Sequence, residues 1–205
     1  EGKCLEIQNK FINKYENVEA FYASKAFLNL SMCKIIDKAG LGLDVVSGGE
    51  LYIALKAGFS PKRIIFHGNN KSKEELLMAI KNNVKRIVVD NVYELKMIEK
   101  LSEELNKNIK ILFRVNPNVE GKTHKYISTG QKDSKFGIPM VNDILKNAVK
   151  RSINSKNIQL TGFHFHIGSQ LLDNSSHLKA LEVLFKFIKE IKKEYNFNTL
   201  ELNTG

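Results

Sequence analysis

The sequence predicts an α/β protein with a parallel sheet, because short apolar runs alternate with helical patterns along the chain. Such alternation implies right-handed crossovers between parallel strands. A polar residue or a glycine follows each apolar run, which is typical of the carboxyl ends of strands in a (β/α)8 barrel of the TIM type. We therefore expect seven strand–helix units of such a barrel. The predicted strands are Val18–Ala23, Leu43–Val46, Arg63–Phe66, Arg86–Val89, Lys110–Val115, Gln159–Phe165 and Thr199–Leu202.

Helical patterns fill the stretches between these strands. Two of the helices begin with the spacing of a capping box, Ser47 with Glu50 and Ser72 with Glu75. A further amphipathic helix is expected near the start of the chain, over residues 7–15. The other helices are predicted near residues 29–39, 49–57, 73–82, 92–106, 140–151 and 176–194.

The length and the spacing of these elements predict one domain over residues 1–205. A chain of 205 residues is long enough for one sizeable core, and no linker rich in proline, glycine or serine divides it. Seven strands are one fewer than a closed barrel has, and no helical pattern follows the last predicted strand. We therefore interpret the sequence as a partial barrel, cut from a longer chain and lacking its eighth strand.

The net charge of +10 is a feature shared with nucleic-acid-binding proteins. Nearly all of the basic residues are lysines, however, and they lie on predicted helix faces or in loops, without interleaved aromatic residues. Lysines on a solvated helix face are the simpler explanation of this charge. We therefore expect no nucleic-acid partner.

The cysteines and the apolar runs predict a cytoplasmic protein. Cys4 and Cys33 form neither a disulfide framework nor a CxxC metal pair. No apolar run approaches the roughly 18 residues of a membrane span, and no signal-peptide pattern opens the chain. We therefore expect a reducing, cytoplasmic setting and no membrane partner.

The residues at the predicted strand ends favour one shared site. In a parallel barrel the carboxyl ends of the strands lie at one edge, where functional residues collect. Turn residues are polar in any case, and Asp90 with Asn91 is interpreted as the cap of the next helix. The remaining residues at these ends are Lys25, Asp44 with Ser47, His67, Arg114 with Asn116, His166 with Ser169, and Gly205.

The types of residue at this edge indicate pyridoxal 5′-phosphate. A lone lysine at a strand end supplies an amine for a Schiff base, and a histidine near a strand end can stack on a flat ring or bond a substrate. The backbone and hydroxyl after it, at Gly168 and Ser169, suit a phosphate. Zinc bound by His164 and His166 is a weaker alternative, because no carboxylate or further histidine completes such a site. No metal is therefore expected.

Five segments resemble the fold-type III pyridoxal-phosphate-dependent decarboxylases. The first three segments are shared with this family in general, and the last two are similar to the diaminopimelate decarboxylases within it. The resemblance spans the whole chain, with the motifs in the same order. The segments are residues 21–27, 42–51, 66–72, 124–131 running into 134–137, and 164–170.

The resemblance implies a role for each candidate residue. Lys25 carries the Schiff base, His166 stacks on the pyridine ring, and Ser169 bonds the phosphate. Gly205 resembles the first glycine of the phosphate-binding glycine loop. The remaining candidates, Asp44, His67 and Arg114, line the cofactor face.

The resemblance also implies decarboxylation of meso-2,6-diaminopimelate to L-lysine and CO2, the last step of lysine biosynthesis, by a homodimer. Three family parts are expected to be absent from these 205 residues. They are the strand ahead of Glu1, the strand-eight segment with the acidic partner of the pyridine nitrogen and a substrate-binding arginine, and the C-terminal β domain. Without that acidic partner the electron sink is weak, so we expect these residues alone to be inactive.

Four alternatives remain open. An ornithine or arginine decarboxylase of the same fold is the nearest, since substrate-selecting residues lie mostly outside this chain. A second alternative is a non-catalytic pyridoxal-phosphate homeostasis barrel, whose length fits but which lacks the motifs at 129–137 and 164–170. A homologue that has lost the cofactor and a hydrolase using zinc are the others.

Overall fold

The computed structural model describes residues 1–119, 136–141, 143–169, 171 and 173–205. The described residues group into two compact units, Glu1–Ile87 and Val88–Gly205. The α-helices are α1 (Gly2–Lys10), α2 (Leu30–Lys38), α3 (Gly48–Lys56), α4 (Lys73–Lys81), α5 (Val92–Glu104), α6 (Ile144–Ile153) and α7 (Ser175–Tyr195). The strands are β1 (Phe21–Ala23), β2 (Gly42–Val45), β3 (Ile64–Phe66), β4 (Arg86–Val89), β5 (Ile109–Asn116), β6 (Ile138–Pro139), β7 (Ile158–His164) and β8 (Glu201–Asn203). Short 3-10 helices span Ile12–Lys14, Ser24–Ala26 and Pro61–Arg63.

The first unit is a parallel sheet covered by helices. β1 pairs with β2, β2 with β3, and β3 with the start of β4, all in parallel. The residues of β2, β3 and β4 are buried apart from Asp44, as expected for a parallel sheet with helices packed on it, whereas those of β1 are half-buried. Leu51 in α3 and Leu76 in α4 are completely buried and belong to the same unit. The core of this unit therefore fixes where β1, β2 and β3 end.

The second unit repeats this arrangement. β5 pairs with β7 and β7 with β8 in parallel, and the two-residue β6 pairs with the end of β5. Phe163 of β7 meets Phe187 of α7 edge to face, with ring centroids 5.7 Å apart. Phe165 lies 6.1 Å from the ring of His177, also in α7. α7 thus covers one face of β7, and His164 belongs to the other face.

β7 contains an extra residue at Thr161. Ile111 of β5 is opposite Leu160, whereas the next β5 residue, Leu112, is opposite Gly162. Thr161 is therefore a β-bulge, and its hydroxyl donates a hydrogen bond of 3.0 Å to the carbonyl of Ile111.

Gly162 lets β8 approach β7 closely. A Cβ atom at this position would stand 1.8 Å from the carbonyl oxygen of Glu201 and 2.8 Å from its carbonyl carbon. Real Cβ contacts of this kind do not occur, so any side chain here would push β8 away. The glycine is thus required by the pairing of Gly162 with Glu201.

The helix starts follow local sequence signals. The Ser72 side chain accepts a hydrogen bond from the N–H of Glu75, and the Glu75 carboxylate accepts one from Ser72, so the predicted capping box is confirmed. At α3, Ser47 accepts from the N–H of Glu50, but the Glu50 carboxylate accepts from Val46 rather than Ser47. That predicted box is therefore only half formed.

Replacing Ser72 by alanine is expected to lower the free energy of unfolding by about 1 kcal/mol, because the first turn of α4 loses its cap. Chemical denaturation measures this change. Ser60 precedes the 3-10 helix Pro61–Arg63 and makes no side-chain cap bond. Its replacement by alanine is the matched control and should leave stability within about 0.5 kcal/mol of the parent. Equal losses for both variants would contradict the role of the cap.

The predicted elements agree with the structure apart from their boundaries and one strand. β4 has the predicted bounds, β1 is shorter than predicted, and β6 was not predicted. α6 begins at Ile144 instead of residue 140, after Asp143 in the left-handed region with φ 57°. The single domain over 1–205 stays a prediction. None of the helices in the described ranges is long and apolar enough to cross a membrane.

Candidate functional site

Lys25 lies just beyond the carboxyl end of β1, as predicted. β1 ends at Ala23, and the chain continues into the 3-10 turn Ser24–Ala26, in which Lys25 is exposed. The hydroxyl of Tyr22 donates a hydrogen bond of 2.9 Å to the carbonyl of Phe27 and closes this turn. The amine is thus carried by a turn that is tied to its own strand.

Asp44 and His67 are brought together in the same unit. Asp44 is the third residue of β2, opposite Ala23 of β1, and His67 follows β3 directly. The distance between Asp44 Oδ1 and His67 Nε2 is 3.7 Å. His67 is 5 % exposed, and its N–H donates to the carbonyl of Val45 at 2.7 Å. Two of the predicted cofactor residues therefore lie side by side at the ends of neighbouring strands.

In the second unit, Arg114 of β5 is fixed by an acid and an aromatic ring. Its Nη1 lies 3.6 Å from Oδ1 of Asp90, which is 4 % exposed, and its guanidinium carbon lies 4.5 Å from the centroid of Phe136. The other Asp90 oxygen accepts a hydrogen bond of 3.1 Å from Gly137 N–H. Of the predicted cap Asp90–Asn91, the Asn91 side chain forms the cap by accepting from Glu94 N–H, and Asp90 contacts Arg114.

His164 is a buried, neutral histidine. Its Nδ1 lies 3.1 Å from the side-chain oxygen of Asn203 in β8. Burial, reinforced by the positive charge of Arg114 and by His166, lowers the pKa of His164 to about 3, against the opposing hydrogen bond to Asn203. His164 is therefore uncharged at neutral pH and contributes a single N–H donor.

The depressed pKa of His164 predicts a loss of stability in acid. The folded chain takes up this proton only near pH 3, whereas the unfolded histidine takes it up near pH 6.5. Stability is therefore full above pH 6.5 and falls as the pH drops towards 3, by roughly 3 kcal/mol at pH 4. Denaturant titrations at several pH values measure this slope. The His164→Gln variant lacks this titrating group, so its free energy of unfolding should fall less as the pH drops. An equal fall in the variant and the parent would contradict the lowered pKa of His164.

His166 and Gly205 lie against each other, as a shared cofactor pocket requires. Gly205 has φ 88°, in the left-handed region that favours glycine. A Cβ on Gly205 would stand 2.7 Å from Nδ1 of His166 and 2.9 Å from the carbonyl oxygen of Phe165. Ser169 lies three residues beyond His166 and is half-buried. A small residue beside an imidazole, with a hydroxyl nearby in sequence, fits the ring and the phosphate of pyridoxal 5′-phosphate.

The described residues around His164 and His166 are not arranged as a metal site. Among the residues that the structure describes, no three histidine, cysteine, aspartate or glutamate side chains group as metal ligands would. His164 instead bonds to the Asn203 amide. Of the segments behind the family resemblance, residues 124–131 and 134–135 and Gln170 lie outside the described residues.

Two sets of contacts in the candidate site were not predicted from the sequence, those of Asp90 with Arg114 and Gly137 and those of Asn203 with His164 and Gly205. Asp90 follows β4, and Asn203 is the last residue of β8, so both occupy strand ends like the residues that were chosen. Their position at strand ends was the one feature of the sequence that could have indicated these contacts. Their partners lie 47 residues away for Asp90 with Gly137 and 39 residues away for Asn203 with His164, which no local pattern reports.

Curated relatives with high identity are diaminopimelate decarboxylases. The chain is 47 % identical over 203 residues to the enzyme of Bacillus subtilis (strain 168), covering 99 % of this chain and 46 % of the relative. It is 42 % identical over 173 residues to the enzyme of Methanocaldococcus jannaschii, covering 84 % of this chain and 40 % of the relative. The chain thus spans about half the length of the curated relatives it matches.

Solved structures share its fold. The diaminopimelate decarboxylase of M. jannaschii superposes with a TM-score of 0.87 at 37 % identity, over 100 % of this chain and 47 % of that one. The enzyme of Helicobacter pylori complexed with L-lysine gives a TM-score of 0.86 at 34 % identity, over 98 % and 50 %. The predicted α/β class and partial TIM-type barrel are therefore confirmed.

The family model of the pyridoxal-dependent decarboxylases describes their pyridoxal binding domain, and it matches residues 1–205. This match confirms the family resemblance and, with it, pyridoxal phosphate as the cofactor. The chain belongs to the pyridoxal-dependent decarboxylases, and residues 1–205 correspond to their pyridoxal binding domain.

Proposed function

We propose that the whole protein decarboxylates meso-2,6-diaminopimelate to L-lysine and CO2, the last step of lysine biosynthesis. The observation that carries this proposal is the 47 % identity to a diaminopimelate decarboxylase over 203 residues. When bound, pyridoxal 5′-phosphate supplies an aldehyde that bonds to amines and a ring that accepts the electron pair left by a departing carboxylate. The chain's own residues bind and orient this group.

Lys25 is proposed as the residue that bonds the cofactor covalently. Its amine is exposed in the Ser24–Ala26 turn, so an aldehyde can reach it without any rearrangement of the core. A lysine amine is the group that proteins use for such bonds to carbonyl compounds. Lys25 would hold the cofactor through this bond in the absence of substrate.

His166, Ser169 and Gly205 are proposed to hold the ring and the phosphate. The imidazole of His166 would stack on the ring, and the hydroxyl of Ser169 would donate a hydrogen bond to the phosphate. Gly205 contributes space, because any Cβ there would collide with His166. Its N–H already donates to Asn203 at 3.0 Å, which keeps the glycine in place.

Asp44, His67 and Arg114 are proposed to line the cofactor face. The 3.7 Å contact with Asp44 orients the imidazole of His67, and Asp90 together with Phe136 orients the guanidinium of Arg114. A side chain held by its neighbours loses little freedom when a ligand binds, which supports a binding role for both.

For the whole protein we further propose a cytoplasmic homodimer with no nucleic-acid partner. The family resemblance supports the dimer. The scarcity of arginine among the basic residues, four arginines in the printed sequence, supports the absence of nucleic-acid binding.

The test is a substrate panel with the whole protein. Protein reconstituted with pyridoxal 5′-phosphate is incubated with meso-2,6-diaminopimelate, ornithine or arginine, and the CO2 released is measured. We expect release from diaminopimelate at a rate far above those of the other two amino acids. Turnover of ornithine or arginine instead would overturn the substrate while leaving the cofactor intact. Absence of a visible absorption band after reconstitution would overturn the cofactor assignment itself.

A further inference from the structure

Asn203 accepts two hydrogen bonds through one oxygen. Its Oδ1 lies 3.0 Å from the backbone nitrogen of Gly205 and 3.1 Å from Nδ1 of His164. The first contact fixes the orientation of the amide, because a backbone N–H can only donate and the atom facing it must therefore be the oxygen. The same oxygen then requires a donor from His164.

This requirement selects one tautomer of His164. The histidine is neutral, because burial and the charge of Arg114 lower its pKa to about 3. A neutral imidazole carries its single proton on one nitrogen. Since Nδ1 must donate to Asn203, the proton sits on Nδ1 and Nε2 is the acceptor.

The register of three neighbouring strands places this pair next to Arg114. Arg114 of β5 is opposite His164 of β7, and His164 is opposite Asn203 of β8. Asp90 lies 3.6 Å from Arg114 at the far end. The four side chains form a polar row, Asp90–Arg114–His164–Asn203, which ends at the backbone of Gly205.

The row ends at Gly205, whose N–H donates to Asn203 and which is proposed to leave room for the phosphate. Gly205 keeps a positive φ of 88° and lies against His166, and its N–H is the only backbone donor of that residue. A hydrogen bond to a half-buried side chain restrains such a residue, which has the largest conformational freedom of any amino acid. The partner here is a side chain that is itself restrained by His164.

We propose that Asn203 is a positioning residue for cofactor binding: held by the Nδ1–H of His164, its carboxamide oxygen fixes Gly205 against His166 in the conformation that accepts the phosphate. This inference rests on the proposed cofactor site. It assigns His164 a role as a hydrogen-bond donor to Asn203, in place of the metal binding considered as an alternative from the sequence.

The first test determines which ring nitrogen of His164 carries the proton in the protein without cofactor. The chain has five histidines, so nitrogen NMR of histidine-labelled protein is tractable, with His164→Gln to assign the signal. We expect the Nδ1–H tautomer of His164 in the parent and its loss in Asn203→Leu. An Nε2–H tautomer in the parent would overturn the proposal.

The second test compares pyridoxal 5′-phosphate with pyridoxal, which lacks the phosphate. Both are titrated into the whole protein, and dissociation constants are read from visible absorption. Loss of one neutral hydrogen bond corresponds to roughly tenfold in affinity, so Asn203→Leu should weaken pyridoxal 5′-phosphate by about that factor and leave pyridoxal unchanged. Equal weakening of both ligands, or tighter binding of the phosphorylated one, would overturn the positioning role.

Two further variants separate positioning from general stability. Asn203→Asp retains an oxygen that accepts both hydrogen bonds, so Nδ1 of His164 should stay protonated in this variant, and a proton on Nε2 alone would contradict the proposal even if Asn203→Leu does not fold. Asn157 is a buried asparagine at the opposite end of β7, where its side chain donates to the carbonyl of Ser102. Asn157→Leu should lower stability without changing the ratio of the two affinities.

The proposed function and the positioning role fail in different ways. If the parent protein binds both ligands equally, the phosphate site itself is wrong. If the parent prefers pyridoxal 5′-phosphate and Asn203→Leu keeps the full preference, only the role of Asn203 is wrong.

Discussion

Replacing Lys25 by alanine is expected to abolish the visible absorption of the cofactor-loaded protein and to lower the rate of CO2 release at least about a thousandfold, because the covalent attachment is lost. Absorption spectra after gel filtration and the decarboxylation assay measure the two effects. Noncovalent contacts from Ser169 and His166 should remain, so the variant should still bind pyridoxal 5′-phosphate, but weakly and reversibly.

Lys34 provides the control for this variant. It is an exposed lysine on α2, in the same unit as Lys25, and the proposed site does not include it. Lys34→Ala should keep the absorption band and the rate of the parent protein. A Lys25→Ala protein that retained the band would show that another amine carries the cofactor.

Replacing Gly162 by alanine is expected to have the largest effect on the fold. The new Cβ would lie 1.8 Å from the Glu201 carbonyl oxygen, so β8 must move or unpair. We expect a loss of roughly 3 kcal/mol or more in the free energy of unfolding, because a backbone atom cannot turn aside as a flexible side chain can. Denaturant unfolding measures the loss, and weaker binding of pyridoxal 5′-phosphate should accompany it, since β8 carries Asn203.

Gly49 is the matched position for this comparison. It lies in the first turn of α3, and a Cβ there would meet Ser47 Oγ at 3.8 Å, an ordinary contact. Gly49→Ala should therefore be neutral or stabilise the chain by up to about 1 kcal/mol, through the lower entropy of the unfolded state. Similar losses at Gly49 and Gly162 would mean that the close approach of β8 is not what Gly162 permits.

Local features of the structure were predictable from the sequence. The apolar run Arg86–Val89 has the predicted bounds, and the Ser72–Glu75 capping box forms as its spacing indicates. Lys25, His67 and Gly205 all lie just beyond strand ends. Their positions were predictable because a change from apolar to polar residues in the sequence indicates where a buried strand ends.

Features that depend on distant partners were not predictable. β6 exists because it pairs with the end of β5, and a two-residue segment containing a proline carries no strand signal of its own. The roles of Asp90 and Asn203 likewise arise from side chains on other strands. Such contacts are set by register, which a single sequence does not display.

The bulge at Thr161 changes the phase of β7. Before it, residues of β5 and β7 are paired with an offset that places Ile111 opposite Leu160; after it, Arg114 is opposite His164. In an unbroken strand Arg114 would be opposite Phe163, and His164 would point towards α7. One inserted residue thus decides which half of the alternating pattern faces the helices and which faces the site. Pairing Thr161 with Leu112 would therefore place a benzyl group beside Arg114 in place of an imidazole, whereas deleting Thr161 would leave Arg114 opposite His164.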